Sequence, residues 1–313
     1  MRPEVEDTAG VRTPPAAGRG RSSLLRERLM AVDVQRVLVV GAGTMGSGIA
    51  QVAARAGYRT ELFDVEPGAA QRALERVAES LARAVEKGRC SAQERDEALR
   101  RLAMAPDLDA AAAQADLIVE AAPEDLQLKK EVFARISKAA RPETILASNT
   151  SSLPITAIAA AARGPERVIG LHFFNPVPAM KLLEIVQGER THPMVVTAAR
   201  AVGARLGKEV VVVRDAPGFA TSRLGIALAM EAIRMLEEGV ASAEEIDRAI
   251  ELGYGHPMGP LKLTDQVGLD VRLAIAEHLR TELGERFRPP QLLRRMVRAG
   301  KLGKKAGEGF YKY

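Results

Sequence analysis

The sequence predicts an α/β protein: a doubly wound parallel sheet covered by helices, followed by a smaller all-helical domain. Three observations predict it. Short β-branched runs alternate with helix-like segments from Arg36 to Val213. A glycine-rich turn, Gly41–Gly46, stands between the first run and the first helix-like segment. After Asp215-Ala216-Pro217-Gly218 the strand signals fade and long apolar helical patterns take over.

Taken in order, residues 1–32 are rich in Pro, Gly, Arg and Ser, without apolar periodicity until Leu24–Met30, the composition of a flexible tail. Arg36–Val40 (RVLVV) reads as a strand, Ile49–Ala56 as a small-residue helix and Arg59–Asp64 (RTELFD) as a second strand. Helical stretches follow at 69–87 and 91–102. Strands recur at Leu117–Ala121, Thr144–Ala147, Val168–Phe173, Leu182–Val186 and Glu209–Val213, with helix-like segments such as Leu126–Ala140 between them. This alternation places the sheet domain over 33–214 and the helical domain over 215–313. In the latter, 219–238 reads as a long apolar helix, and Ser242-Ala243-Glu244-Glu245 is a capping box opening the next one.

Bulk properties narrow the function classes. A chain of 313 residues can bury two domain cores, and 47% hydrophobic with 27% charged residues is a globular balance. No apolar run is long enough for a bilayer, and the first residues lack the apolar core of a secretory signal. The single cysteine, Cys90, excludes an internal disulfide and suits a reducing cytoplasm, and it reads as a surface thiol. A net charge of +5 suits an anionic ligand such as a nucleotide or CoA ester, or an inert basic surface. The dense basic and aromatic interleaving expected of a nucleic-acid binder is missing. No His, Cys, Asp and Glu cluster has metal-site spacing.

Gly41-Ala42-Gly43-Thr44-Met45-Gly46 is G-x-G-x-x-G with a strand before it and a helix after it. Gly41 permits the tight turn, Gly43 the approach of a pyrophosphate, and Gly46 the close packing of helix on sheet. The helix N-terminus, with Thr44 and Met45, then faces the phosphates with free amides. Asp64 ends the second strand, where a carboxylate accepts bonds from the adenosine ribose hydroxyls and repels a 2′-phosphate. The expected cofactor is therefore NAD rather than NADP.

Ligands of an open α/β sheet bind at the carboxyl ends of its strands. ILASNTSSL places Asn149 and Ser151 there, and VIGLHFFNP places His172 and Asn175 there. A histidine in an apolar strand is either a satisfied core residue or a catalytic one. Pro176 and Pro178 force a turn after it, and the chain returns as MKLLEIV, which can bring Glu184 beside His172. A carboxylate on one imidazole nitrogen fixes the tautomer and leaves the other as a base. Glu184 as a mere surface charge is the alternative. His192 falls in a loop, His256 in the Gly-Pro-rich GYGHPMGP, and His278 at a solvated helix position.

Together, GAGTMGSGIAQVAARAGY, ASNTSSL, HFFNPVPAMKLLEIV, RDAPGF, GYGHPMGPLKLTDQVGLD and KLGKKAGEGFYKY resemble the L-3-hydroxyacyl-CoA dehydrogenases. The likeness is greatest to the short, single-function type acting on 3-hydroxybutyryl-CoA. It runs from about residue 35 to the C-terminus. It implies that His172 is the general base for the 3-hydroxyl and that Glu184 orients it. Ser151 and Asn175 would hold the substrate oxygen and nearby cofactor. Glu124, Lys129, Asn149, Ser151 and Lys305 would contact NAD. The helical domain would bind part of the acyl-CoA and form a homodimer. The same chemistry serves fatty acid metabolism in both directions, β-oxidation and butyrate-type synthesis. One departure stands out: Ser222 replaces the family's Asn in Pro217-Gly218-Phe219-Ala220-Thr221-Ser222-Arg223, so the substrate contact there falls to a shorter hydroxyl. A dehydrogenase of free 3-hydroxy acids, such as a sugar acid or carnitine, is the alternative within the fold. A non-catalytic NAD-binding module is the alternative outside enzymes.

Overall fold

The computed structural model describes residues 33–313, so the tail expected over 1–32 lies outside the described residues. The first half of the sheet domain runs β1 (Arg36–Val40), α1 (Thr44–Arg55), β2 (Arg59–Phe63), α2 (Ala69–Glu86), α3 (Ala92–Arg100), β3 (Leu102–Met104), α4 (Leu108–Gln114) and β4 (Leu117–Glu120). It continues α5 (Leu126–Ala139), β5 (Ile145–Ser148), α6 (Ile155–Ala159), β6 (Val168–Phe173), β7 (Leu182–Gln187), α7 (Pro193–Arg205) and β8 (Glu209–Arg214). The helical part is α8 (Thr221–Glu237), α9 (Ala243–Tyr254), α10 (Pro260–Val267), α11 (Leu269–Leu283) and α12 (Gln291–Arg298).

The eight strands form one sheet in the order β3-β2-β1-β4-β5-β6-β7-β8. The reversal of direction beside β1 is the switch point at which a doubly wound sheet opens a crevice. Central strands are apolar on both faces because helices cover both. Val37 and Val39 of β1 join the core beneath α1 and α7, while Leu38 and Val40 join the core beneath α4 and α5. Each such buried side chain contributes roughly 1.5–3 kcal/mol relative to exposure. A third core, including Ile226, Met230, Leu261, Leu269 and Leu279, holds α8–α12 together. The chain end closes onto it: the amides of Phe310 and Tyr311 each donate to Asp265 at 2.9 Å.

Three features differ from the sequence expectation. The helix expected over 91–102 ends at Arg100, and Leu102–Met104 is an edge strand pairing with β2. Three residues are too few to show a period, so the strand is specified by its neighbour. The sheet is also not wholly parallel, because β6 and β7 are antiparallel. Their link, Phe174–Lys181, is too short for a crossover helix, so the chain must turn straight back. Finally, His278 is half-buried with an unpartnered Nε2 rather than solvated.

Candidate active site

Helix α1 starts without a side-chain cap: Gly43 precedes it, and no side chain accepts from its first-turn amides. An uncapped helix N-terminus presents donors and a positive dipole end to an anion. The three glycines serve different needs. A Cβ on Gly46 would lie 1.8 Å from the Gly41 carbonyl oxygen, and one on Gly41, at φ +109°, would lie 2.5 Å from the Ala121 oxygen. Those two are required by the fold. A Cβ on Gly43 would meet nothing within 4 Å, so the protein does not itself demand glycine there. The turn thus has the shape of a cradle that a side chain at 43 would fill. Asp64 is held rigidly beside it, Oδ2 accepting from the Ala42 amide at 2.6 Å and Oδ1 from the Glu66 amide at 2.9 Å. Each carboxylate oxygen keeps a further lone pair for a ribose hydroxyl.

The ends of β4 and β5 carry a second group of residues. Glu124 accepts from the Thr150 hydroxyl at 2.6 Å, from the Ser151 amide at 3.0 Å and from the Ser151 hydroxyl at 3.3 Å. Lys129 reaches Glu124 at 3.6 Å but is tied more closely to Glu120, at 2.6 Å, with 1% and 0% of the two side chains exposed. Glu120 also accepts from the Ser148 hydroxyl at 2.6 Å and the Ala122 amide at 2.7 Å. Nothing in the sequence marks Glu120, because its partners Lys129 and Ser148 lie on other elements. Lys129→Met is expected to cost about 3–5 kcal/mol in folding free energy, since breaking a buried pair leaves a buried charge unbalanced. Urea unfolding of the variant measures it.

The β6–β7 hairpin carries the third group. Its register sets His172 directly opposite Glu184, with side chains on one face of the sheet. His172 Nδ1 lies 2.9 Å from Glu184 Oε2, and both residues are buried. Donation from Nδ1 to the carboxylate leaves Nε2 open. Phe174 and Phe219 flank the ring, with centroids 4.3 and 5.9 Å away. Glu184 is also the cap of α8. Its Oε1 accepts from the Ala220 and Thr221 amides at 3.0 Å each, and Oε2 from the Thr221 hydroxyl at 2.8 Å. Burial pushes the Glu184 carboxyl up, but the bonds from His172, Thr221 and Ala220 outweigh it and hold it below the usual carboxylate range. Thr221, silent in the sequence, is thereby part of the site. The approach to α8 is strained, with Phe219 at φ +49°, a conformation costing about 1–3 kcal/mol in a non-glycine residue.

Asn149 joins the second and third groups, its Oδ1 accepting from the Phe173 amide at 3.0 Å. The Ser222 hydroxyl donates to the Ser151 carbonyl at 3.4 Å, so the helical domain meets the sheet beside Ser151. Asn175 is exposed just past His172, with its side chain free for a ligand. Lys305 stands apart: its ammonium is 2.6 Å from Asp270 Oδ1, and no hydrogen bond links it to the glycine turn, Glu124 or Asn149. Among the described residues no His, Cys, Asp and Glu group is arranged to hold a metal, and no helix is long and apolar enough to cross a membrane.

Comparison with known proteins matches both parts of the chain. Residues 36–216 match the family described as 3-hydroxyacyl-CoA dehydrogenase, NAD binding domain. Residues 218–313 match 3-hydroxyacyl-CoA dehydrogenase, C-terminal domain. A 3-hydroxybutyryl-CoA dehydrogenase of Mycobacterium tuberculosis H37Rv is 45% identical over 287 residues, covering 91% of this chain and all, 100%, of that relative. The crystal structure of an (S)-3-hydroxybutyryl-CoA dehydrogenase from Ralstonia eutropha superposes with a TM-score of 0.86 at 41% identity, covering 90% of this chain and 99% of that one.

Proposed function

The chain belongs to the 3-hydroxyacyl-CoA dehydrogenase family and is an NAD-dependent oxidoreductase, and from that premise we propose that its reaction is the reversible oxidation of (S)-3-hydroxybutyryl-CoA to the 3-oxo thioester at the cleft between glycine turn and β6–β7 hairpin. The observation that carries this is the buried His172–Glu184 pair with one imidazole nitrogen left open. NAD, held by Gly41, Gly43, Thr44, Met45, Gly46 and Asp64, with Glu124, Lys129, Asn149 and Ser151 beyond them, supplies the acceptor for the hydride of C3. His172 Nε2 takes the hydroxyl proton as that hydride departs, and Glu184 stabilises the imidazolium so formed. In the reverse direction the imidazolium returns the proton to the developing alkoxide. Ser151, Asn175 and Ser222 orient the substrate oxygen, and the half-buried Phe174 and buried Phe219 rings beside the imidazole limit the access of water. Lys305, paired with Asp270 in the described structure, is the further NAD contact of this reading.

Acetoacetyl-CoA-dependent loss of NADH absorbance tests the reading. Turnover of CoA esters and not of free 3-hydroxy acids supports it, and the opposite preference sinks it. Glu184→Gln is expected to lower kcat on the order of 100-fold, because the amide keeps the shape but not the charge facing the imidazolium. The same variant tests a pH effect. A carboxyl whose pKa is lower folded than unfolded stabilises the fold above the unfolded value, and the contribution is lost as pH falls through the folded one. Urea midpoints of Glu184→Gln should therefore fall off less steeply in acid than those of the wild type.

The division of labour, with NAD held by 33–214 and substrate and self-association served by 215–313, is part of the same proposal. Leu224, Val240, Leu252 and Tyr254 are exposed apolar side chains of the helical part, available to a homodimer contact. A monomer in analytical ultracentrifugation would contradict it. A cytoplasmic setting accords with the one free thiol, Cys90, and cell fractionation checks it.

A further inference from the structure

Lys208, between α7 and β8, is half-buried, and its ammonium donates to two backbone carbonyls rather than to a carboxylate. The carbonyls are those of Val177 and Met180, at 2.6 Å each, and both belong to the link between β6 and β7. Burial, with Arg55 nearby, holds the Lys208 pKa below the usual lysine value. The acids that share its cleft of about 300 Å³, Glu94 and Glu97, are engaged elsewhere. Glu94 accepts from the Ser91 amide, and Glu97 accepts from Gln93 and Arg101. A cation kept against desolvation and a like charge, with no acid beside it, marks a contact that the molecule needs.

The amides of Ala179 and Met180 both donate to the Pro176 carbonyl, at 3.0 and 3.1 Å, so the middle of the link is one helix-like turn. No second turn follows to supply donors for its carbonyls, and the lysine supplies them instead. The next carbonyl, that of Lys181, accepts from the Glu209 amide at 2.8 Å, so residues 208 and 209 together stitch the link to β8. The link carries Asn175 and joins the strands of His172 and Glu184. It also rests on α1. Val177 is 2% exposed, and a Cβ on Gly48 would lie 2.9 Å from its Cβ and 3.0 Å from its Cγ2, so only glycine at 48 admits the link this closely. Helix α1 begins in the glycine turn. The hairpin of the base therefore leans on the helix of the cofactor through Val177, and Lys208 holds that same residue by its carbonyl.

We propose that Lys208 is a positioning residue for hydride transfer: by clasping the link it sets how far the His172 hairpin stands from the cofactor at the N-terminus of α1. It acts through Val177 and Asn175 and not on the reacting atoms. The proposal rests on the hydride-transfer reading above. Hydride transfer needs its two carbons in near contact, and a misplacement on the order of 1 Å is enough to slow it strongly.

The test is single-turnover oxidation of enzyme-bound NADH by acetoacetyl-CoA, followed in the stopped flow for the wild type and Lys208→Met. The rate constant is expected to fall roughly 10- to 100-fold in the variant, while the amplitude, which counts competent sites, and the NADH dissociation constant change by less than about twofold. Gly48→Ala reaches the same joint from the other side. Its methyl group must push Val177 away, although alanine is the better helix former, so the same loss of rate is expected at full amplitude. In the double variant the two losses should not add, because both displace one contact. A wild-type rate constant in Lys208→Met overturns the inference and leaves the hydride-transfer reading standing. A loss confined to amplitude or melting temperature also overturns it, since the lysine would then serve the fold alone, and so do fully additive losses. Absence of acetoacetyl-CoA turnover in the wild type overturns the hydride-transfer reading itself. If Lys208→Met does not fold, the rate constant of Gly48→Ala decides by the same criteria.

Discussion

His172→Ala should lower kcat/KM for 3-hydroxybutyryl-CoA by about 10²–10⁴-fold, the usual worth of a positioned general base. The loss should appear in kcat, with little change in the affinity for NAD, because the imidazole touches neither the glycine turn nor Asp64. The variant should also be less stable, since Glu184 loses the Nδ1 donor 2.9 Å away while remaining fully buried. The three donors from Ala220 and Thr221 remain, so the carboxylate is weakened in its hydrogen bonding rather than orphaned. Stopped-flow measurement of NADH formation separates the steps. An unaltered chemical rate in His172→Ala would remove the imidazole from the mechanism.

Gly46→Val should have the largest effect on cofactor binding. Its Cβ would fall 1.8 Å from the Gly41 carbonyl oxygen, a backbone atom that no side-chain rotation can move aside. Helix α1 must move off the sheet or the turn must open. Overpacking of this kind costs about 1–3 kcal/mol or more in stability, and the displaced turn no longer aims its amides together. An NAD dissociation constant raised at least roughly tenfold is expected, with a lowered urea midpoint. Gly43→Ala separates the two effects: its Cβ meets no protein atom, so stability should hold while NAD affinity drops. Retained NAD affinity in both variants would place the cofactor elsewhere.

Much of this site is legible in the sequence because its determinants are local. A turn between a strand and a helix needs glycines at fixed spacing, and an eight-residue link containing Pro176 and Pro178 between two strands can bring His172 and Glu184 together. What is not legible depends on contacts between distant segments. β3 is too short to show a period, and only β2 makes it a strand. Glu120 is the last residue of an apolar strand, and its role follows from Lys129 nine positions later and Ser148 on the next strand. Thr221 gives no signal until α8 is seen to start on Glu184. Arg272 looks like an ordinary solvated charge in GLDVRLAIA until the helix packs it inward. Lys305 is read from motif resemblance alone, and its pairing with Asp270, 35 residues earlier, has no signal in the sequence.

The Glu184 carboxylate belongs to the sheet, yet two of its partners are the first amides of the helical domain. One ionisation therefore enters two equilibria, the tautomer of the base and the seating of one domain on the other. By reciprocity, whatever draws α8 onto the sheet strengthens the acid, and whatever protonates it loosens the joint. Protonation of this one carboxyl in acid should therefore weaken the seating of α8 on the sheet as well as the orientation of the base.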